Sequence, residues 1–214
     1  MYRGWLLLST FALSSCREIE PLPRGEVFYG YQLNGVVTNS SGIPQAGIEF
    51  RMFYQYLNGF SPRDTDRVLV LDTVSAILVE VFDSENNRLR SFPVFPSPGY
   101  VQRNIWDQKD STSRDVKSGL YTIRVYLNGS FARQYAWLVD GNVTAVTDLD
   151  GQFTISKSSF PIGYIVDLYD TQGFYTGTSE IIATIRLVIS SPSVPGFILV
   201  TLALNQITRI NIIL

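Results

Sequence analysis

The chain has 214 residues, with 17 Lys and Arg against 19 Asp and Glu and no histidine. Without an imidazole the commonest general base and the commonest zinc ligand are missing, so Ser-His-Asp and Cys-His nucleophilic sites and the usual zinc sites are excluded. A net charge of −2 argues against a nucleic-acid partner, which needs a basic patch.

The first sixteen residues, MYRGWLLLSTFALSSC, place one positive charge, Arg3, before an apolar run from Trp5 to Leu13. Small residues and Cys16 follow. This is the layout of a secretory signal peptide, and the run is shorter than the about 20 residues needed to span a bilayer. The ending Leu13-Ser14-Ser15-Cys16 resembles a bacterial lipobox. That resemblance implies cleavage after residue 15, lipidation of the Cys16 thiol and a place in the bacterial cell envelope. There the outer membrane, on its periplasmic or surface face, is the expected site. Cys16 is the only cysteine of the chain, so it has no disulfide partner and needs another role. The alternative is an ordinary signal peptide, or a buried N-terminal strand, with a chance cysteine. Residues 16–30 are polar and proline-bearing at first and are expected to be a tether.

From Tyr31 the pattern alternates, which predicts an all-β protein: aromatics reach 13%, and Val, Ile and Thr are frequent, as strands favour. A strand is expected over 32–38, a turn at Asn39-Ser40-Ser41-Gly42 and a strand over 48–54. Gly35, Val37, Gly42, Pro44 and Gly47 form G-x-V-x(4)-G-x-P-x(2)-G. Much later, Thr147-Asp148-Leu149-Asp150-Gly151-Gln152-Phe153-Thr154-Ile155 reads T-D-x-x-G-x-F-x-I. Together these halves resemble the carboxypeptidase regulatory-like domain, a small transthyretin-like β-sandwich. The family joins the halves by a short connection; here about one hundred residues intervene.

The intervening stretch has its own pattern. Strands are expected over 75–83 and 89–94, with a turn at 84–87, then over 100–106 with a turn at 107–110. A further strand begins at 118–121. The run I-W-D-x-x-D-x(8)-G-L-Y-x-I-R-V resembles the Ig-like domain of the flagellar hook-capping protein, with Gln108 where that pattern has glycine. An Ig-like insert over 68–131 within a transthyretin-like sandwich of 31–56 plus 132–214 is therefore expected, residues 58–67 forming a linker and 132–139 re-entering the outer sheet. Two consecutive sandwiches, or one irregular β domain, are the alternatives. Insertion into a surface loop is physically easy, because closure entropy grows only logarithmically with loop length.

Further strands are expected over 163–169, 180–189, 197–204 and 208–212, with turns at 171–173 and 190–196. The apolar run GFILVTLAL reads as a buried strand.

Few residues offer chemistry. Asp107 and Asp110, and Asp148 and Asp150, could hold Ca2+ with backbone carbonyls, but aspartates at such places ordinarily cap tight turns. Asp64 and Asp66 read as solvated linker residues. Trp106 and Trp137 could form a sugar platform or fill a core, and core filling is expected. The N-x-S/T matches at Asn39, Asn128 and Asn142 carry no weight in a bacterial lipoprotein. The expectation is a non-catalytic, lipid-anchored envelope protein without cofactor, whose modules bind a protein or glycan. The alternative is a carboxylate-dependent carbohydrate-active hydrolase.

Overall fold

The structure is a computed structural model of the chain and describes residues 18–20, 30–57, 69–70, 77–95, 101–102, 105–169, 175–190 and 196–214. Cys16 with the apolar run before it, the linker at 58–67 and the turn at 171–173 lie outside the described residues.

The described residues are almost all β. In chain order the strands are β1 (Glu18–Glu20), β2 (Tyr31–Thr38), β3 (Glu49–Tyr56), β4 (Leu69–Val70), β5 (Ile77–Phe82), β6 (Arg88–Val94), β7 (Val101–Gln102) and β8 (Gly119–Leu127). There follow β9 (Ser130–Val139), β10 (Val143–Val146), β11 (Gln152–Ile155), β12 (Ile165–Tyr169), β13 (Tyr175–Ser190), β14 (Gly196–Thr201) and β15 (Gln206–Ile213). Among the described residues one 3₁₀ turn is present, at Lys157–Ser159.

Apart from β4 and β7, which pair with each other, these strands sort into two groups. One sheet has the order β1-β15-β2-β11, and a second has β10-β3-β13, with β12 and β14 pairing with successive parts of β13. Their facing sides share one core, including Leu33, Val37, Phe50, Met52, Phe153, Ile185 and Leu187. We call it the outer core. The third sheet, β6-β5-β8-β9, carries the inner core, built on Ile77, Val79, Val81, Trp106, Ile123 and Trp137. Residues 77–139 thus have a core of their own, and the chain on either side of them meets in the outer core. β2 shows why its sequence is a strand: Leu33, Gly35 and Val37 are buried while their neighbours are not, the period of two that a pleated, half-buried strand requires.

Four expectations change. Residues 132–139 belong to β9 and pair with β8 along its length, Tyr121 opposite Trp137 and Gly119 opposite Val139. The cause is a two-residue hairpin at Asn128 and Gly129, both with positive φ, which sends the chain straight back beside β8. Within 16–30, residues 18–20 form β1 and pair with β15, Glu18 opposite Arg209. Of the described residues within 100–106, 101–102 are in a strand and 105–106 are not. The apolar run 196–204 is not buried on both faces: β14 lies at a sheet edge with Phe197 and Leu199 exposed, and residues 202–205 leave the strand. β14 follows β13 as the second arm of a hairpin, and among the described residues no later strand pairs with its other side.

Candidate functional site: the turns and the cleft between the cores

The residues of the two motifs serve the fold. Phe153 stands opposite Gly35 across β2 and β11, and a Cβ on Gly35 would come within 2.2 Å of the Phe153 ring. Glycine leaves the room the ring occupies, and the ring then stacks on Phe50, centroids 4.1 Å apart. Thr147 clips the two halves together: its hydroxyl donates to the Gln45 carbonyl at 2.7 Å and accepts the Ile48 amide at 2.9 Å. Gly151 has φ +70°, and a Cβ there would sit 2.4 Å from the Val37 carbonyl. Only glycine satisfies both demands.

The acidic candidates share one geometry. Asn39, Asp83, Asp110 and Asp148 each accept, through Oδ1, the amides two and four residues on. In each turn the residue three on (Gly42, Asn86, Ser113 or Gly151) has φ between 63° and 80° and returns its amide to the first residue's carbonyl. This is a type I turn closed by a left-handed residue, built twice in the outer group and twice in the inner. Sequence reading placed turns at 39–42 and 84–87 and a motif turn around Asp148, set the turn near Asp110 at 107–110, and did not see that all four repeat one device, Asn/Asp-x-x-Gly/Asn/Ser.

Asp107 is engaged differently. It accepts Arg90 Nη1 at 2.6 Å and the Lys109 amide at 3.1 Å. Burial alone raises its carboxyl, and the Arg90 guanidinium with the Lys109 amide more than offset this, leaving it below the usual range. The Thr112 hydroxyl, then the Arg114 amide, hold the Asp110 carboxyl low as well. Gln108, between them in sequence, has φ +60°. The turn thus keeps the left-handed conformation in which glycine is preferred. Asp150 supplies only its amide to the Asp148 cap. Among the described residues no three Asp, Glu, Cys or His side chains are grouped as a metal site requires.

Both tryptophans fill the inner core. Trp106 is 2% and Trp137 5% exposed, their rings edge to face at 6.4 Å, and Trp106 Nε1 donates to the Lys109 carbonyl at 2.8 Å. Neither can serve as a sugar platform from there. Of the N-x-S/T residues, Asn39 caps its turn, Asn128 makes the hairpin bend, and Asn142 donates through Nδ2 to the Val116 carbonyl at 2.8 Å.

That last bond belongs to a junction sequence reading did not find. The Ser118 hydroxyl lies 3.1 Å from the Met52 carbonyl and 3.2 Å from that of Asn142, and it accepts the Asn142 amide at 3.0 Å. Ser118 is 1% exposed. Nearby, the Tyr54 hydroxyl donates to the Ser159 carbonyl at 2.9 Å, and the Tyr54 amide donates to Asp140 Oδ1 at 3.0 Å. Burial, then the Asp140 charge, push the Tyr54 phenol well above its usual value. It is a neutral donor at any physiological pH.

Beside this junction opens a cleft of about 330 Å³. Asp83, Glu85, Asp110 and Asp115 line it together with Lys117 and Tyr121, and Ser158 of the 3₁₀ turn lines it from the outer group. Burial, then Asp83, push the Tyr121 phenol up to about 12, and its hydroxyl is spent on the Lys117 carbonyl at 2.7 Å. It is not a base at neutral pH. The lining is acidic, and two of its carboxylates, Asp83 and Asp110, are occupied with turn amides.

Comparison with protein-family models, with curated proteins and with solved structures returned no match.

Proposed function

We propose that this chain is a lipid-anchored protein of the bacterial cell envelope, its β modules a binding unit for a protein or glycan. In this reading Cys16 carries the lipid, and an Ig-like sandwich is nested in a transthyretin-like one. The binding role rests on one observation above the others: the motif residues with chemical potential are committed to holding the chain. Thr147, Asp148, Gly151 and Phe153 build the outer group; Trp106, Asp107 and Asp110 build the inner one. The nested arrangement is supported by the way residues 31–56 and 143–214 share one core while 77–139 have another. The carboxylate hydrolase is the weaker reading. A glycosidase needs one carboxyl raised so that it holds a proton near neutral pH. Asp110, in the acidic cleft, is held low instead.

Metabolic labelling with a palmitate analogue tests the anchor. Wild type is expected to be labelled and Cys16→Ser unlabelled, with the variant released from the membrane fraction. Equal labelling of the two defeats the anchoring claim. Cross-linking in intact envelopes tests the binding role, and a wild-type-specific cross-linked species is the expected outcome.

A further inference from the structure

Among the described residues, the β14 edge lacks the devices that ordinarily block an edge. β6 carries Arg88, Arg90 and Pro93. β9 carries Arg133 and a register shift. β10 and β11 have four residues each, and β1 three. β12 has Asp167 and its own register shift. Charge, proline, bulges and brevity each deter the addition of another strand. β14, GFILVT, runs for six residues without any of them, in unbroken register with β13. Among the described residues nothing pairs with its far side. The Leu202 amide donates to the Ala183 carbonyl at 2.7 Å. Alternation from that pair directs the amides and carbonyls of Phe197 and Leu199 to the open side.

The face above this edge has a matching character. Phe197 is 59% and Leu199 60% exposed. Arg186 stands opposite Leu199 on one side and Phe53 on the other. Its guanidinium carbon lies 4.7 Å from the Phe53 ring centroid and 5.9 Å from that of Phe197. Its Nε is buried without a hydrogen-bond partner. Arg51 shares the face, opposite Val188; Glu49 stands at one end opposite Ser190, and Glu180 and Asp167 lie toward the other end of β13.

We propose that β14 is the acceptor edge for an extended segment of a second protein. That segment alternates apolar and polar residues and carries a carboxylate that meets Arg186. The proposal rests on the binding reading above and names its surface and partner. An added strand would lie about 4.8 Å beyond β14, and a glutamate on it would extend across β14 toward the Arg186 guanidinium, which sits between the Phe53 and Phe197 rings and nearer the former. Main-chain bonds to the edge supply affinity, and side-chain positions supply selectivity. A second copy of β14 would fit the edge but has no acid to offer Arg186. Anionic lipid could meet Arg186 but has no amides or carbonyls in strand register for the edge.

The test uses two blocked synthetic peptides of alternating valine and threonine, one with a central glutamate and one with lysine in its place. With the wild-type protein the glutamate peptide is expected to bind at least tenfold more tightly and to slow hydrogen exchange at Phe197 and Leu199. Arg186→Gln should remove the difference between the peptides. Phe197→Lys, which charges the edge while leaving its inward side chains intact, should weaken both, with circular dichroism confirming the fold. Equal binding of the two peptides, or protection at a different strand, overturns the proposal. So does concentration-dependent protection of β14 without peptide, which identifies a second copy as the occupant. Failure of the wider binding reading shows separately, as absence of any cross-linked species in the envelope, whereas a cross-link mapping to another face spares that reading and sinks this edge.

Discussion

The two cores are closed in opposite ways. The inner sheet joins sequence neighbours: β5 hairpins with β6, β8 hairpins with β9, and β5 and β8 pair at the centre. The outer sheets join distant segments. β2 runs parallel to β15, Tyr31 opposite Gln206, and Thr147 bonds to Gln45, 102 positions away. Local pairings form early because little loop entropy opposes them, and distant ones wait. The inner region can therefore specify itself, whereas the outer one is complete only when the last strand is in place. This difference is open to direct attack.

The heaviest blow to the outer core alone is Phe153→Ala. It removes the stack on Phe50 and leaves a cavity over Gly35, and is expected to cost about 3–5 kcal/mol. Hydrogen exchange should quicken in β2, β3, β11 and β13 while β5 and β8 stay protected. Equal loss in both would show that the two cores melt as one unit, and the contrast would fail. Gly35→Ala attacks the same contact from the other side by overpacking, at about 1–3 kcal/mol. Adding Phe153→Leu should restore part of that loss, and calorimetry of the single and double variants measures the coupling.

Ser118→Ala probes what joins the halves. It leaves the buried Asn142 amide without its acceptor, at a cost of about 1–3 kcal/mol. Limited proteolysis should then cut near residues 140–142 faster than in wild type. Gln108→Gly works in the opposite direction on the inner region, relieving a side chain held at positive φ. It is expected to stabilise by about 1 kcal/mol, read as a raised denaturant midpoint.

The smallest effect is acid sensitivity. Asp107 and Asp110 both belong to the inner region, and both carboxyls are held below their ordinary value. Their contribution is complete above about pH 4 and is lost as pH falls through their folded values. Inner-sheet stability should therefore decline on acidification, and the Asp107→Asn, Asp110→Asn double variant should flatten that decline. An unchanged slope would show that these turns do not carry it.

What could be read from the sequence follows the same division between local and distant. Alternating side chains revealed most strands, and turn letters revealed the capped turns after Asn39, Asp83 and Asp148 while setting the one after Asp110 three residues early, because both signals are written within a few residues. The motif halves around Gly35 and Phe153 could be matched only because each is distinctive in itself. Asn128-Gly129 was a legible hairpin signal, and weighing it would have kept 132–139 beside β8. The exposure of β14 was not legible: an apolar run reads the same whether one face is covered or two. Nor was the Ser118–Asn142–Met52 junction, since single polar contacts between distant segments leave no period in the chain. Arg186 is a similar case, an ordinary surface letter until its neighbours Phe53 and Phe197 are known.

The placement of the tryptophans has an optical consequence. Trp106 and Trp137 both lie in the inner core, and among the described residues the outer core holds tyrosines and phenylalanines but no tryptophan. Indole emission from these two residues therefore reports on one half of the molecule and is blind to the other. Amide circular dichroism sees both. Unfolding curves that superimpose in the two signals mean a single cooperative structure. Curves that separate give the order in which the halves come apart, with no label added.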